Sequence, residues 1–519
     1  MPRFLALPNN NPLSRLPGIL LFCASVIIGL LCYKSYGIGW DEPIQRMAGT
    51  LTYDYVFNGD HAIKTYAERD LGTGFELLLV IIERKCHIID SRHIYLMRHL
   101  VTHLFFLVSA FCGYLLALRL FKDQKIACLA FVMLAFMPRL YAHSFFNSKD
   151  IPFLSAFLIA MLVSQIAFEK NKPLWYLLLG LVCGYATSIR AMGIILVPLM
   201  GFLLFLDLSK SIYLKEKILP AIINILLFLT GFCMLLYVAW PILWDSPIVS
   251  FKEQFASLAH IVWNGRVLFK GEMIPATALP YSYLPVWISI TVPELWLVAG
   301  VAGFVWVLIG FARYPLQYLA NTPERNFILY IGCFALPLVV VNVLHSTNFD
   351  DWRHLYFVYP AFVMLALFAI NKLLYSRAKI VVWSVCGLQV LFVAFFMLRN
   401  HPHQEVYFNN LVSHDKEYLR KNYDLDYWSC ANKQGLEYIL ANDTAAQINV
   451  AGRLETIWNA QLIIPWDKRW RITAVKEGVP ADYFITTFRE HPADYPYTNI
   501  FYEVRVLNST MLRIYMLRR

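Results

Sequence analysis

LPGILLFCASVIIGLLCYKSYGIGWDEP, residues 16–43, decides the fold class. The part up to about Tyr33 is an apolar run long enough to cross about 30 Å of hydrocarbon as a helix. It is too long for a signal-peptide core and carries no cleavage-site pattern, so it reads as an uncleaved first span preceded by Arg3 and Arg15. The part beyond Tyr33 closes on two adjacent carboxylates, Asp41 and Glu42, beside Trp40 at the membrane boundary. As an N-cap before Pro43 the pair has an ordinary use. Its position invites a chemical one.

Comparable runs recur at 95–118, 126–141, 151–168, 174–189, 191–207, 218–240, 284–311, 326–344, 355–371 and 379–398. The chain therefore reads as a polytopic α-helical membrane protein of about eleven transmembrane helices. Its composition agrees, with 58% hydrophobic and 15% charged residues in 519 and a mean hydropathy of +0.52. The net charge of +10 does not mark a nucleic-acid surface, because residues 401–519 carry 14 Lys and Arg against 14 Asp and Glu. The excess lies in and between the spans. With the N-terminus cytoplasmic, the basic loops 119–125, 169–172, 207–217 and 371–379 all fall inside. The loop 36–94, with nine acids against six bases, falls outside. It contains two helix-like stretches, PIQRMAGTLTYDYVF and GTGFELLLVIIERK, and is too long to be a bare connection.

After residue 399 the pattern changes to mixed polar sequence with strand-like pieces, QINVAG, ADYFITTF and FYEVRVLNSTMLRIYML. The last reads as a hairpin turning at Asn508-Ser509-Thr510. Residues 1–399 thus form a transmembrane part, and residues 400–519 a small extracytoplasmic α/β domain. Eight of the ten cysteines lie in apolar runs and read as small buried hydrophobes. Cys86 and Cys430 lie in polar segments, where a disulfide between them is open.

Polar groups gather on the predicted outer face. Asp150, in NSKDIPF, opens the fourth span next to Lys149, and an acid is also favoured there by the helix dipole. DDWRHLYFVYP brings Asp350, Asp351, Arg353 and His354 to the start of the tenth span. Arg353 either snorkels to headgroups or holds a phosphate with its planar fork. Arg98 sits inside an apolar run, where a cation is expensive and tends to face a partner, and Arg190 between two spans invites the same reading. His99 and His103 lie one turn apart, with no third metal ligand in view. Acids and cations on one face suit group transfer from a phosphorylated lipid.

These motifs resemble those of GT-C superfamily glycosyltransferases, on the family-39, protein-O-mannosyltransferase-like branch, in a bacterial form. Asp41-Glu42 resembles the family's first acidic motif and Asp150 its second. LPYSYLPVWISITVPEL (279–295), DDWRHLYFVYPAF (350–362), HPHQEVYFNNLV (401–412) and DLDYWSCANKQGLEYI (424–439) resemble segments of its bacterial members. The resemblance implies inverting transfer of one sugar, hexosyl or pentosyl, from a polyprenyl-phosphate donor to an acceptor hydroxyl. The acceptor is a glycolipid, envelope polymer or protein, and the reaction lies on the extracytoplasmic face of the inner (plasma) membrane. Asp41 is then the general base, and Glu42 or Asp150 orients the acceptor. Arg353 meets the lipid phosphate, with His354, Arg98 and Lys149 as further candidates. A divalent cation stays open, since some relatives need one and others do not. The competing class is a transporter or flippase of a lipid-linked anion, against which stand the long first loop and the lack of an internal repeat.

Overall fold

The computed structural model describes residues 16–69, 72–259, 263–320, 322–344 and 347–518, so the flanking Arg3 and Arg15 lie outside the described residues. Eight described helices are long and apolar enough to cross a membrane, and a ninth crossing results if one bent pair counts as a span. Two further apolar helices, Leu16–Cys32 and Pro173–Ile189, have 17 residues each. Every one of the eleven predicted segments falls on helix. Apolar side chains such as Leu31, Phe392 and Leu398 are 69% to 82% exposed, which suits a lipid-facing surface rather than water. The protein is a multi-pass membrane protein.

Two predicted spans are broken, both at proline. Residues 126–141 become Gln124–Ala135 and Pro138–Phe146, bent by 56°. Residues 284–311 become Tyr283–Thr291 and Glu294–Arg313, parted at Val292-Pro293. In each case the residue before proline is extended, Met137 at ψ 116° and Val292 at ψ 135°, as the steric demand of the proline ring requires. The break at Pro138 matters most, because the short helix it releases is wholly buried and delivers Asn147 to Asp150 into the centre of the molecule.

Close helix contact depends on small residues. A Cβ on Gly180 would sit 2.0 Å from the Phe228 carbonyl oxygen, and one on Gly231 2.3 Å from that of Leu177. Helices Pro173–Ile189 and Leu219–Ala239 therefore meet backbone to backbone.

The two predicted helices of loop 36–94 are present as Glu42–Asn58 and Gly74–Lys85. At one end of the bundle Arg119 pairs with Glu169 and Arg325 with Asp207, joining the loops predicted to be inside. Asp41, Asp150, Arg190 and Arg353 meet at the other end.

A short hairpin of β1 (Arg266–Phe269) and β2 (Glu272–Pro275) precedes the C-terminal sheet. That sheet contains β3 (Ile448–Gly452), β4 (Ile472–Lys476), β5 (Tyr483–Thr486), β6 (Ile500–Val506) and β7 (Ser509–Met516), in the order β4-β3-β5-β7-β6. β3 pairs in parallel with β4 and β5, while β7 is antiparallel to β5 and β6. The final hairpin turns at Leu507-Asn508, one residue earlier than predicted, with Val506 paired to Ser509. Both turn residues have positive φ, 48° and 60°, the left-handed pair that matches strand twist in a two-residue hairpin. β4 was not foreseen. All ten cysteines are free thiols, with Cys430 buried and Cys86 exposed, so the open disulfide does not form.

Candidate active site

The two acids of the opening motif part company. Glu42, 1% exposed, accepts from the Gly39 backbone N–H at 3.2 Å and meets His99 Nε2 at 3.2 Å. Asp41 occupies the N-cap position but its side chain makes no capping bond. It turns instead toward Arg353, with Oδ2 3.3 Å from Nη2, and keeps 28% of its side chain exposed. Pro43 and the Glu42–Gly39 bond fix the helix start, which leaves Asp41 free for another task.

Asp150 is held more tightly. Its backbone N–H donates to Asn147 Oδ1 at 2.8 Å and its Oδ2 accepts from Asn147 Nδ2 at 2.9 Å, which closes the NSKD turn. Oδ1 pairs with Arg190 and Oδ2 lies 3.3 Å from Arg353 Nη1. Only 1% of this side chain is exposed.

Arg353 sits at the centre, 4% exposed, between the rings of Phe349 at 5.1 Å and Trp428 at 4.9 Å. Its third carboxylate is Asp350 at 3.2 Å, which also takes Arg489 at 2.8 Å. The charges run in an alternating chain, Arg190, Asp150, Arg353, Asp350 and Arg489, with Asp41 attached at the middle. Asp350 and Asp351 have positive φ, 57° and 61°, an uncommon conformation for non-glycine residues that sends their carboxylates apart. Asp351 belongs to a separate buried set, accepting from Arg139 at 2.8 Å, Tyr356 at 2.9 Å and Tyr427 at 3.0 Å.

Burial sets the electrostatics. The Asp41 carboxyl is raised above the usual range by desolvation, with Arg353 opposing the rise. Burial pushes Asp351 up to about 6 against the pull of Arg139. Lys149 is drawn down to about 7 by burial and by the nearby charge of Arg190.

The other predicted residues are placed less centrally. Arg98 gives Nη2 to Glu76, with Ser148 Oγ at 3.3 Å, and with none of its side chain exposed it is closed to a lipid phosphate. Lys149 donates from Nζ to the Gly72 carbonyl at 2.6 Å. His354 stands edge-on to Phe349, with ring centroids 4.8 Å apart. His103 bonds Ser144 Oγ at 2.7 Å, while His99 serves Glu42, so the two histidines do not share a ligand. Among the described residues the acids of the site fit guanidinium groups better than a divalent cation. Asp41, Asp150 and Asp350 all face guanidinium groups, and among the described residues no group of three or more His, Cys, Asp or Glu could hold a metal ion.

Sequence reasoning missed Arg489, Glu76 and Arg139. Glu76 had a signal, an acid in the first turn of a helix whose next six residues are all apolar, which calls for a buried cation. Arg489, just beyond a strand of the C-terminal sheet, had none.

Residues 91–237 match the family model described as dolichyl-phosphate-mannose-protein mannosyltransferase. No curated protein matches the chain. Among solved structures, the archaeal oligosaccharyltransferase AglB from Archaeoglobus fulgidus, in complex with an inhibitory peptide and a dolichol-phosphate, aligns over 88% of this chain at 12% identity and a TM-score of 0.48. The chain spans 65% of that protein's length. ArnT from Cupriavidus metallidurans in the apo state aligns over 96% of this chain and 98% of its own at 12% identity, TM-score 0.47. The same protein bound to undecaprenyl phosphate aligns over 96% and 97% at 13% identity, TM-score 0.44. At these scores the likeness is loose. The matched residues 91–237 include Arg98, Lys149, Asp150 and Arg190, in line with the GT-C resemblance of the sequence motifs.

Proposed function

We propose that this protein is a membrane glycosyltransferase that moves one sugar from a polyprenyl-phosphate donor to an acceptor hydroxyl, with Asp41 as general base. The observation that carries the reading is the division among the acids. Glu42 and Asp150 are buried and spent on fixed partners, whereas Asp41 is partly exposed, faces an arginine and makes no structural bond at its helix.

Asp41 takes the acceptor proton as the hydroxyl oxygen bonds to the anomeric carbon. The bond from that carbon to the phosphate oxygen breaks on the opposite face, its electron pair leaves with the polyprenyl phosphate, and the anomeric centre inverts. The phosphate charge is met by Arg353 and by Arg190, whose side chain is 19% exposed and thus open to a ligand. Asp150 positions both guanidinium groups. Lys149 adds a third cation nearby, and His354 stands beside Arg353 without a charge role. Glu42, through His99 and Gly39, holds the backbone that presents Asp41.

The site faces the extracytoplasmic side of the inner membrane, since the basic loops gather at the opposite end. Residues 1–399 are the catalytic transmembrane part and residues 400–519 the extracytoplasmic domain. The acceptor is a glycolipid, envelope polymer or protein.

The test is incubation of the purified protein in nanodiscs with labelled polyprenyl-phosphate sugars and detection of the released lipid phosphate. Turnover lost in Asp41→Asn supports the assignment, and full turnover in that variant removes Asp41 as the base. No turnover with any donor, with donor crossing the bilayer of liposomes, would make the protein a transporter.

A further inference from the structure

Beside the charged site, segment 453–470 lies across the ends of two neighbouring transmembrane helices. Arg453 stacks over Trp40 at 4.3 Å, and Asn459 Nδ2 donates to the Trp40 carbonyl at 3.4 Å, just beyond the helix Leu16–Cys32. At its other end the Leu462 carbonyl accepts from Ser91 Oγ at 2.8 Å, and Arg469 lies 3.3 Å from Asp90, where the helix Ser91–Phe121 begins. Between these points Ile463 is buried with Ile38, Tyr95 and Leu96. The segment is therefore fixed at the level where both helices leave the hydrocarbon.

Its outer face sets three exposed tryptophans among the charged side chains of Arg453, Glu455, Asp467 and Lys468. Trp458, Trp466 and Trp470 are 51%, 73% and 57% exposed, and Ile89 beside Asp90 is 90% exposed. Arg469 covers the Trp466 ring at 4.6 Å, and Lys468 is exposed between the last two tryptophans. Exposed indoles flanked by cations suit the headgroup layer, where the ring is half-desolvated and the indole N–H and cations keep polar partners. At the end of Leu16–Cys32 that leads to Trp40, Leu30 and Leu31 are 48% and 77% exposed, so lipid reaches the helix end that this segment covers.

We infer that residues 454–470 form an interfacial anchor that rests Trp458, Trp466 and Trp470 on the bilayer surface. The anchor ties the C-terminal sheet to the membrane whatever reaction the protein performs. It also limits how far Arg489, on the same domain, can swing from Asp350.

The experiment compares intrinsic fluorescence of the full chain in phosphatidylcholine nanodiscs with and without bromine at the upper acyl carbons. The triple variant Trp458→Ser/Trp466→Ser/Trp470→Ser is expected to lose part of the bromine quenching seen in the unaltered protein. Each single variant should lose a smaller part, which keeps the test valid if the triple variant does not fold. Equal quenching in the unaltered protein and all the single variants would overturn the anchor, and would leave this face to a protein partner or to water.

Discussion

Asp41 Oδ2 and Arg353 Nη2 stand 3.3 Å apart at the meeting point of the first and tenth predicted spans, and Asp41 is the more exposed of the two, 28% against 4%. In the proposed reaction this acid acts on the acceptor rather than holding the fold. Because the Asp41 side chain caps nothing, Asp41→Asn should leave the thermal midpoint near that of the unaltered protein. Sugar transfer should fall by about 100-fold or more, the usual scale of a general base. Calorimetry and a donor-turnover assay on the same preparation check both halves.

The pH profile should carry the same signature. Burial raises the Asp41 pKa and Arg353 lowers it, so removal of the guanidinium lets the pKa climb further. A base is lost by protonation, and the acidic limb of kcat/KM in Arg353→Gln is therefore expected at higher pH than in the unaltered protein. A limb at unchanged or lower pH would break the link between the two residues.

Lys149 gives a signal of the opposite sign. With a pKa near 7, it carries its charge below that pH and loses it above, so donor affinity should weaken as pH rises through 7. Lys149→Met should flatten that dependence and weaken binding below pH 7 by about tenfold or more, the scale of one charged hydrogen bond. Titration of the nanodisc-embedded protein with a polyprenyl phosphate at several pH values reads this directly.

Much of this arrangement was legible in the chain, for a physical reason. Hydrocarbon demands long apolar helices, so each of the eleven segments announced itself, and acids at their ends were conspicuous against that background. Helix breaks at Pro138 and Pro293 were written in the sequence but were read as continuous spans. The partners of the visible charges were harder to find. Arg98 reads as a site cation until Glu76, 22 residues away, is seen to neutralise it. Arg489 lies 139 residues from Asp350. No local pattern specifies a pairing across that distance, and Asp351, adjacent to Asp350, serves a different network, with Arg139 in place of Arg353.

That second network should govern stability rather than turnover. Arg139 and Asp351 are fully buried, and replacement of Arg139 by methionine leaves a carboxylate with only the hydroxyls of Tyr356 and Tyr427. The loss of one partner of a buried pair costs about 3 to 5 kcal/mol. Asp351 has a folded pKa near 6, above that of an unfolded aspartate, so its contribution to stability is present at low pH and declines as pH rises through 6. Without Arg139 that pKa rises further, because a lowering charge is gone. Arg139→Met should therefore be closer to the unaltered protein at pH 5 than at pH 7.5, as thermal unfolding at the two values would show.

The C-terminal domain should matter to the chemistry through one residue. Arg489 meets Asp350 at 2.8 Å, and Asp350 in turn lies 3.2 Å from Arg353, so the sheet domain reaches the centre of the charged chain in two contacts. In Arg489→Ala, Asp350 keeps only Arg353 among its described ion-pair partners and competes more strongly for the guanidinium with Asp41 and Asp150. Phosphate stabilisation then weakens most where charge develops, in the transition state, so kcat should fall about tenfold while KM for the donor changes less. Arg489→Lys keeps a charge but not the planar fork and is expected to restore part of the loss. A KM effect alone, with kcat intact, would show that the domain shapes access to the site and does not act on the charged chain.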